Sequence, residues 1–273
     1  MLALAVHWDD CSVAIGNRDD MLSESWSRQP ERAAVSAASP GAAGGSPVAS
    51  RDALLLLHRL LARSGVGLAD VGQLCFARGP GAFTSLRVAA GLVQGLSLAT
   101  SIPVAGICSL AALIAHEPSW RNGDGVRSRL QLAALDARMG ECYFAVHLCQ
   151  GGTHPVVLLE PAVGSPARAI AAFESALAGH PDIEPVLAGN AFRLFPELAG
   201  WAQRTGNDPQ QAGARAPTAE AVLAVATSRD APAPGPARGA LPIYVRNKIA
   251  LDVTEQQASA AARAHGGRFR AGA

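Results

Sequence analysis

The sequence is poor in several residue types that would mark particular classes of protein. Its 273 residues include one lysine, Lys248, and 5% aromatic residues, and the formal net charge is +1. Arginine therefore carries nearly all the positive charge, and the chain has no overall basic surplus of the kind that holds nucleic acid. A local basic patch is still compatible with this composition.

The sequence also has no C-x-x-C motif. The chain has five cysteines, Cys11, Cys75, Cys108, Cys142 and Cys149. Their number is odd and four lie in apolar runs typical of strands, so we expect reduced core residues. Zinc binding by residues 142–154 is the alternative, but in a strand Cys142 would point away from His147 and Cys149.

No stretch has the pattern of a secretion signal or a membrane span. The apolar start is interrupted by His7, Asp9 and Asp10, unlike a signal peptide. The apolar run at 86–99 is shorter than the ~20 residues that a bilayer requires. With 49% hydrophobic residues the chain can build a sizeable core, so we expect a cytoplasmic globular protein without a membrane segment.

Residues 74–99, LCFARGPGAFTSLRVAAGLVQGLSLA, predict a strand, a glycine turn and a long helix. Neither a strand nor a helix continues through the turn at 79–81, and Thr84 or Ser85 could cap a helix over 86–99. Gly91, Gly95 and Ala99 recur at every fourth residue, which leaves a groove where another backbone could approach. Close packing would explain why two helical glycines are tolerated.

The glycine turn allows two interpretations. Backbone N–H groups at a helix N-terminus can bind an anion, which makes Gly79, Gly81 and Thr84 weak candidates for a phosphate site. However, no Gly-Lys-Ser/Thr follows, and the spacing is not that of a dinucleotide-binding loop. A purely structural turn is the alternative.

Residues 51–63, RDALLLLHRLLAR, predict a second helix with more apolar surface than one core requires. Leu54, Leu57 and Leu61 form a stripe on one side, whereas Leu55 falls outside it. This extra width indicates a second packing surface, although a leucine that merely touches solvent is common.

The order of the elements predicts an α/β protein of two related lobes. Three strands form a meander over residues 2–26, an Ala/Gly/Ser-rich loop spans 33–50, and helices then alternate with strands. Further strands are predicted at 103–107, 130–136, 141–148, 156–159 and 185–188, and further helices at 110–116, 166–178 and 219–226. We expect a first lobe over 1–107 completed by part of 217–250, a second over 108–216, and a disordered tail over 251–273.

Four segments resemble the TsaB (YeaZ) family of tRNA threonylcarbamoyladenosine biosynthesis proteins. They are GPGAFTSLR at 79–87, LDARMGECYFAVH at 135–147, VLAGNA at 186–191 and LPIYVRNKIA at 241–250. The family's loop usually reads GPGSFTGLR or GPGSFTGVR, and Ser85 replaces its third glycine. The four segments follow the family's order between residues 79 and 250, which is more specific than a single glycine loop.

The resemblance implies a two-lobed actin-like (ASKHA) fold and a noncatalytic partner of the related TsaD protein. With TsaD and an accessory TsaE-type ATPase, such a protein supports threonylcarbamoyl transfer to adenosine 37 of ANN-decoding tRNAs. The catalytic centre, ATP and metal would belong to the partner, and contact with tRNA would be indirect. The resemblance also places the TsaD contact, and self-pairing when TsaD is absent, on the helices 51–63 and 86–99.

The candidate interface residues are Leu55, His58, Gly91, Gly95 and Ala99. The alternative is that both helices are simply buried in the first lobe. No catalytic or metal-binding residue is predicted, because the seven histidines show no i, i+4 pairing.

Two enzymatic functions remain as alternatives. A glycoprotease-like peptidase would need an activated nucleophile or metal, but the sequence has no G-x-S-x-G or H-E-x-x-H motif. A small-molecule kinase of the same fold would need acidic residues around magnesium. Where the family usually has Asp-Thr after the first strand, this chain has Ala5-Val6.

Overall fold

The computed structural model describes residues 1–7, 10–17, 20–27, 47–117, 120, 127–213 and 216–246. Most of the predicted 33–50 loop and the predicted tail over 251–273 lie outside these residues. Within the described ranges, no helix combines the length and apolar character needed to cross a bilayer.

The first sheet has five strands and contains the predicted meander. Its strands are β1 (Leu2–His7), β2 (Asp10–Gly16), β3 (Met21–Ser27), β4 (Leu74–Gly79) and β5 (Val104–Cys108). Their spatial order is β3-β2-β1-β4-β5. The first three strands pair antiparallel, and β4 joins β1 in parallel, as β5 joins β4.

The second sheet has four strands and repeats this arrangement. Its strands are β6 (Arg129–Arg138), β7 (Glu141–Cys149), β8 (Val156–Gly164) and β9 (Glu184–Ala188). The order β8-β7-β6-β9 again combines an antiparallel meander with a parallel strand beside its first member. The two related lobes therefore show in the topology, although no repeat is visible in the sequence.

Seven α-helices are described along the chain. They are α1 (Pro47–Ser64), α2 (Phe83–Thr100), α3 (Ser109–Ala112), α4 (Pro166–Gly179), α5 (Ala191–Leu194), α6 (Pro196–Arg204) and α7 (Ala219–Ala226). Short 3-10 helices lie at Leu68–Asp70, Leu113–His116, Pro209–Ala212 and Ala237–Gly239.

The first sheet has one face of large and one of small side chains, because both types alternate along its strands. Large residues such as Leu4 and Phe76 pack beneath α1 and α2. Small residues such as Ala5 and Ala77 pack against α7. Helix α7 buries seven of its eight residues, so it lies inside the molecule rather than on its surface.

The second sheet also packs on both faces. One face carries Phe144, which packs with Phe173 of α4 and Phe192 of α5 in an aromatic cluster. The other face packs against Leu110 of α3 and against Leu113. Helices from both lobes therefore line the region between the two sheets.

Most predicted elements are confirmed, including the β6–β7 hairpin and the cap of α7, where the Thr218 hydroxyl accepts from the Ala221 amide. The predicted caps Thr84 and Ser85 are wrong: α2 begins at Phe83, three residues before the predicted start, and its N-cap, Ala82, has no side-chain acceptor.

Two boundaries near loops are also corrected. Helix α1 begins at Pro47, so the last residues of the predicted 33–50 loop are helical. Helix α6 (Pro196–Arg204) was not predicted, and its last turn lies in a stretch expected to be irregular. It packs Leu198 and Trp201 into the second core, which outweighs its modest length.

The cysteines are free thiols, as predicted, and only Cys108 is partly exposed. Burial raises the pKa of the Cys11, Cys75 and Cys142 thiols to about 12. Cys142 and Cys149 belong to cores on opposite sides of the second sheet. Among the described residues, no three potential ligands are grouped so that they could hold a metal ion.

His147 is fully buried in β7, and neither ring nitrogen has a hydrogen-bond partner among the described residues. Burial, with the nearby His154, lowers the pKa of His147 to about 4. The folded state therefore requires the neutral imidazole. The stability that the neutral His147 imidazole contributes is complete above the unfolded-state pKa of histidine and is lost as the pH falls below that value.

We expect the free energy of unfolding to fall by about 3 kcal/mol through His147 alone between pH 6.5 and pH 4. Chemical denaturation at a series of pH values measures this loss. His147→Phe should remove this part of the slope, because phenylalanine does not titrate, and His180→Gln at the end of α4 is the control. Equal slopes for wild type and His147→Phe would contradict this interpretation.

Candidate functional site

Helix α1 buries one side and exposes an apolar strip on the other. Ala53, Leu56 and Leu60 lie in the core of the first lobe. Leu54 and Leu55 remain 49% and 46% exposed, and His58 is exposed beside them. Leu54 was predicted to belong to the buried stripe but is exposed, whereas Leu55 lies outside the stripe as predicted.

Helix α2 is divided in the same way. Leu86, Ala89 and Val93 are buried, whereas Gly91, Gly95 and Ala99 are exposed together with Leu98, which is 78% exposed. A Cβ atom added at Gly91 or Gly95 would meet no described atom within 4 Å. Packing within the described part of the chain therefore does not explain the glycines.

The exposed sides of the two helices adjoin. Leu54 of α1 and Leu92 and Leu96 of α2, together with residues of β1, β2 and β4, line a small apolar gap of about 20 Å³ where the two helices meet the first sheet. We call the exposed surface around this gap the α1–α2 face. Its residues are Leu54, Leu55, His58, Gly91, Gly95, Leu98 and Ala99.

All five residues predicted for a partner interface are exposed on α1 or α2, and their role as an interface stays a prediction. The two helices contain a single acidic residue, Asp52, and it is half-buried. Exposed basic side chains lie on the same helices, namely Arg59 and Arg63 of α1 and Arg87 of α2. A surface that combines leucines with small residues is suited to contact with another protein surface. The two helices are therefore not fully buried in the first lobe, because each helix has one buried and one exposed side.

The glycine loop lies elsewhere, at the N-terminus of α2, and is covered by the chain itself. Gly79 has a φ of 109°, which favours glycine, and a Cβ there would lie 2.8 Å from the Ile243 carbonyl oxygen. The Gly81 carbonyl accepts a hydrogen bond from the Tyr143 hydroxyl. Gly79 and Gly81 are buried, and Thr84 is half-buried. A structural role thus accounts for Gly79, and the use of the loop as a phosphate site stays a prediction.

Comparisons with known proteins identify the family. The model of the family described as "TsaD: tRNA N6-adenosine threonylcarbamoyltransferase" matches residues 49–230. The tRNA threonylcarbamoyladenosine biosynthesis protein TsaB of Escherichia coli (strain K12) is 30% identical over 203 residues, covering 72% of this chain and 80% of that protein. The chain belongs to the TsaB (YeaZ) family.

Two further matches agree with this membership. The TsaB protein of Haemophilus influenzae is 41% identical over 92 residues, which cover 34% of this chain and 37% of that protein. The structure of YeaZ from Pseudomonas aeruginosa superposes with a TM-score of 0.60 at 28% identity, covering 89% of this chain and 98% of that chain. The predicted TsaB resemblance is thus confirmed, as is the predicted α/β fold with two mixed sheets flanked by helices.

One difference from the TsaB pattern needs correction. Ala5-Val6 was expected to follow the first strand, but β1 continues to His7 and both residues lie inside it. Ala5 is buried on the small-residue face. The positions after the strand, 8 and 9, lie outside the described residues, so Ala5-Val6 does not bear on a carboxylate there.

Residues 240–246 lie outside the α1–α2 face and have a role that the sequence did not reveal. The sequence predicts a short strand or extended segment at 241–245 and marks it as the end of the family pattern, without a role. Its alternation of Ile243 and Val245 with Tyr244 and Arg246 is a period of two, typical of an extended segment with two different sides. That signal predicts the extended form but not what it covers.

Two glycine substitutions should have opposite effects on stability. Gly95→Ala should raise the free energy of unfolding by about 1 kcal/mol, because alanine favours a helix and has room there. Gly79→Ala should lower it by more than about 1 kcal/mol, because of the positive φ and the Ile243 carbonyl. Denaturant titration of each isolated variant measures both changes. A destabilised Gly95→Ala would show that the glycine packs against part of the chain.

Proposed function

We propose that this chain acts in tRNA threonylcarbamoyladenosine biosynthesis as a noncatalytic partner of a TsaD-family paralogue. Its family is named for that process, and the chain also matches the TsaD family model over most of its described helices and strands. The two proteins would form the complex in which threonylcarbamoyl is transferred to adenosine 37 of ANN-decoding tRNAs.

The α1–α2 face is the observation that supports this proposal. Leu55 and Leu98 present exposed apolar side chains, and Gly91 and Gly95 leave room for the backbone or side chains of another protein. Burying two such leucines would contribute several kcal/mol to association, at about 25 cal/mol per Å² of apolar surface, before the entropic cost is subtracted. A related protein with a matching pair of helices is a suitable occupant.

The rest of the assembly follows from the same proposal. The paralogue would hold ATP and metal and make the contact with tRNA, and an accessory TsaE-type ATPase would join through the complex. When the paralogue is absent, a second copy of this chain could cover the same α1–α2 face, since a twofold pair needs only one self-complementary surface.

A charge or a bulky side chain on the α1–α2 face should weaken partner binding. Leu55→Asp buries a carboxylate in an apolar interface, and Gly95→Leu fills the space for close approach, so each should raise the Kd for the TsaD-family paralogue at least about tenfold. Isothermal titration calorimetry with the purified paralogue measures the affinity, and circular dichroism of each lone variant checks the fold.

Matched substitutions distinguish the face from any exposed apolar site. Leu194 on α5 is 56% exposed, so Leu194→Asp introduces the same charge on the second lobe. Gly179 ends α4 with open space around it, so Gly179→Leu matches Gly95→Leu. Both controls should bind like wild type. If folded Leu55→Asp and Gly95→Leu bind like wild type as well, the α1–α2 face is not the interface.

Depletion of the chain in its own cells should lower threonylcarbamoyladenosine in tRNA. Mass spectrometry of digested tRNA measures the nucleoside, and restoring the wild-type gene should restore it. Complementation by Leu55→Asp should be weaker than by Leu194→Asp. Normal modification after complete depletion, with no second copy of the gene, would refute the proposed function.

A further inference from the structure

Residues 240–246 cross from one lobe to the other. The segment begins on the first lobe, where Gln94 Nε2 of α2 donates to the Ala240 carbonyl at 3.0 Å. The Ile243 amide then donates to the Arg78 carbonyl, at the end of β4, at 2.7 Å. These two bonds hold the segment along the start of α2 and the glycine loop.

The aromatic side chain of Tyr244 adds a third contact with α2. Its ring centroid lies 5.2 Å from that of Phe83, and its hydroxyl accepts a hydrogen bond from Arg87 Nε at 3.2 Å. The Arg87 guanidinium in turn lies 3.8 Å above the Phe83 ring. Phe83, Arg87 and Tyr244 thus form one contact group on the first lobe.

Arg246 makes the contact with the second lobe, at the β6–β7 hairpin. Its Nη2 donates to the Ala137 carbonyl at 3.2 Å and pairs with the Glu141 carboxylate, and its Nη1 lies 3.6 Å from the Met139 sulfur. The Arg246 side chain is only 19% exposed, so the ion pair is partly shielded from solvent. Three groups of one hairpin therefore hold one guanidinium.

A direct contact between the lobes lies at the same place. Tyr143, next but one after Glu141 in β7, donates its hydroxyl to the Gly81 carbonyl at 3.3 Å. The chain has only two tyrosines, and both take part in this junction. Val245 packs beside Tyr143 in the cluster between the lobes. The segment thus covers the loop at 79–81 and the hairpin at once.

We propose that residues 240–246 act as a strap that holds the two lobes in one closed arrangement and keeps the glycine loop covered, with Arg246 as its latch. Two-lobed proteins commonly open and close around a ligand by hinge motion. Here the closing contacts come from the chain itself, so the two lobes move as one body. The strap contains no residue of the α1–α2 face, so this inference is independent of the proposed function.

Hydrogen exchange of the full chain tests the strap. In Arg246→Ala, amides in the glycine loop and first turn of α2 (79–86), in the hairpin tip (136–143) and in the strap (241–246) should exchange about tenfold faster, because local opening becomes easier. Strand β1 and helix α4 should keep their wild-type rates. Mass spectrometry of peptic peptides measures all of these regions together.

Three further variants make the test specific. Arg238→Ala, on the exposed 3-10 helix before the strap, should leave every rate unchanged. Arg246→Lys should be intermediate, because an ammonium can pair with Glu141 but cannot reproduce the forked contact with Ala137. Glu141→Gln should accelerate the same peptides, and adding it to Arg246→Ala should give little further change.

Two results would overturn the proposal. One is acceleration of 241–246 alone, with wild-type rates at 79–86 and 136–143, because the strap would then detach without releasing the lobes. The other is equal acceleration of β1 and α4, because Arg246 would then only contribute to global stability. If Arg246→Ala fails to fold by circular dichroism, the same readings from Glu141→Gln and Tyr244→Leu decide the question.

Discussion

The packing of helix α7 against the first sheet is the contact on which the two-lobed arrangement depends. Alternation of small and large residues in β1, β4 and β5 gives that sheet a shallow face, and α7 fits closely against it because it consists of alanine, valine and leucine apart from Glu220. Cys149 of the second lobe joins the same core. A larger residue at Ala5 or Ala77 would force α7 away and separate the lobes.

The position of α7 determines what the surface helices must do. Because α7 covers one face of the first sheet, α1 and α2 cover the opposite face. One apolar stripe from each helix is enough to cover it. Both helices nevertheless carry leucine beyond that stripe, and α2 carries glycines that nothing in the described part of the chain packs against. These additional leucines and glycines lie on the surface and not in the core, which is why we place the proposed partner on this surface.

Local patterns predicted the elements well where each pattern has one physical cause. The meander, the β6–β7 hairpin and the Thr218 cap follow from alternation, turn residues and a side-chain acceptor. The start of α2 could not be predicted from capping, because Ala82 offers no acceptor and tertiary contacts determine that end. The role of residues 240–246 was equally inaccessible, since Arg246 and Glu141 are 105 positions apart. The exposure of Leu55 was predictable because helical periodicity alone places it outside the stripe, whereas the same periodicity wrongly placed the exposed Leu54 inside it.

The most direct test of the proposed function is a hydrogen-exchange footprint of the TsaD-family paralogue on this chain. Exchange is measured for the chain alone and at a saturating concentration of the partner, under identical conditions. The account predicts slower exchange in residues 54–58 of α1 and in residues 91–99 of α2, with β8 and α4 unchanged. Protection confined to the second lobe, with both helices exchanging as in the free chain, would contradict it.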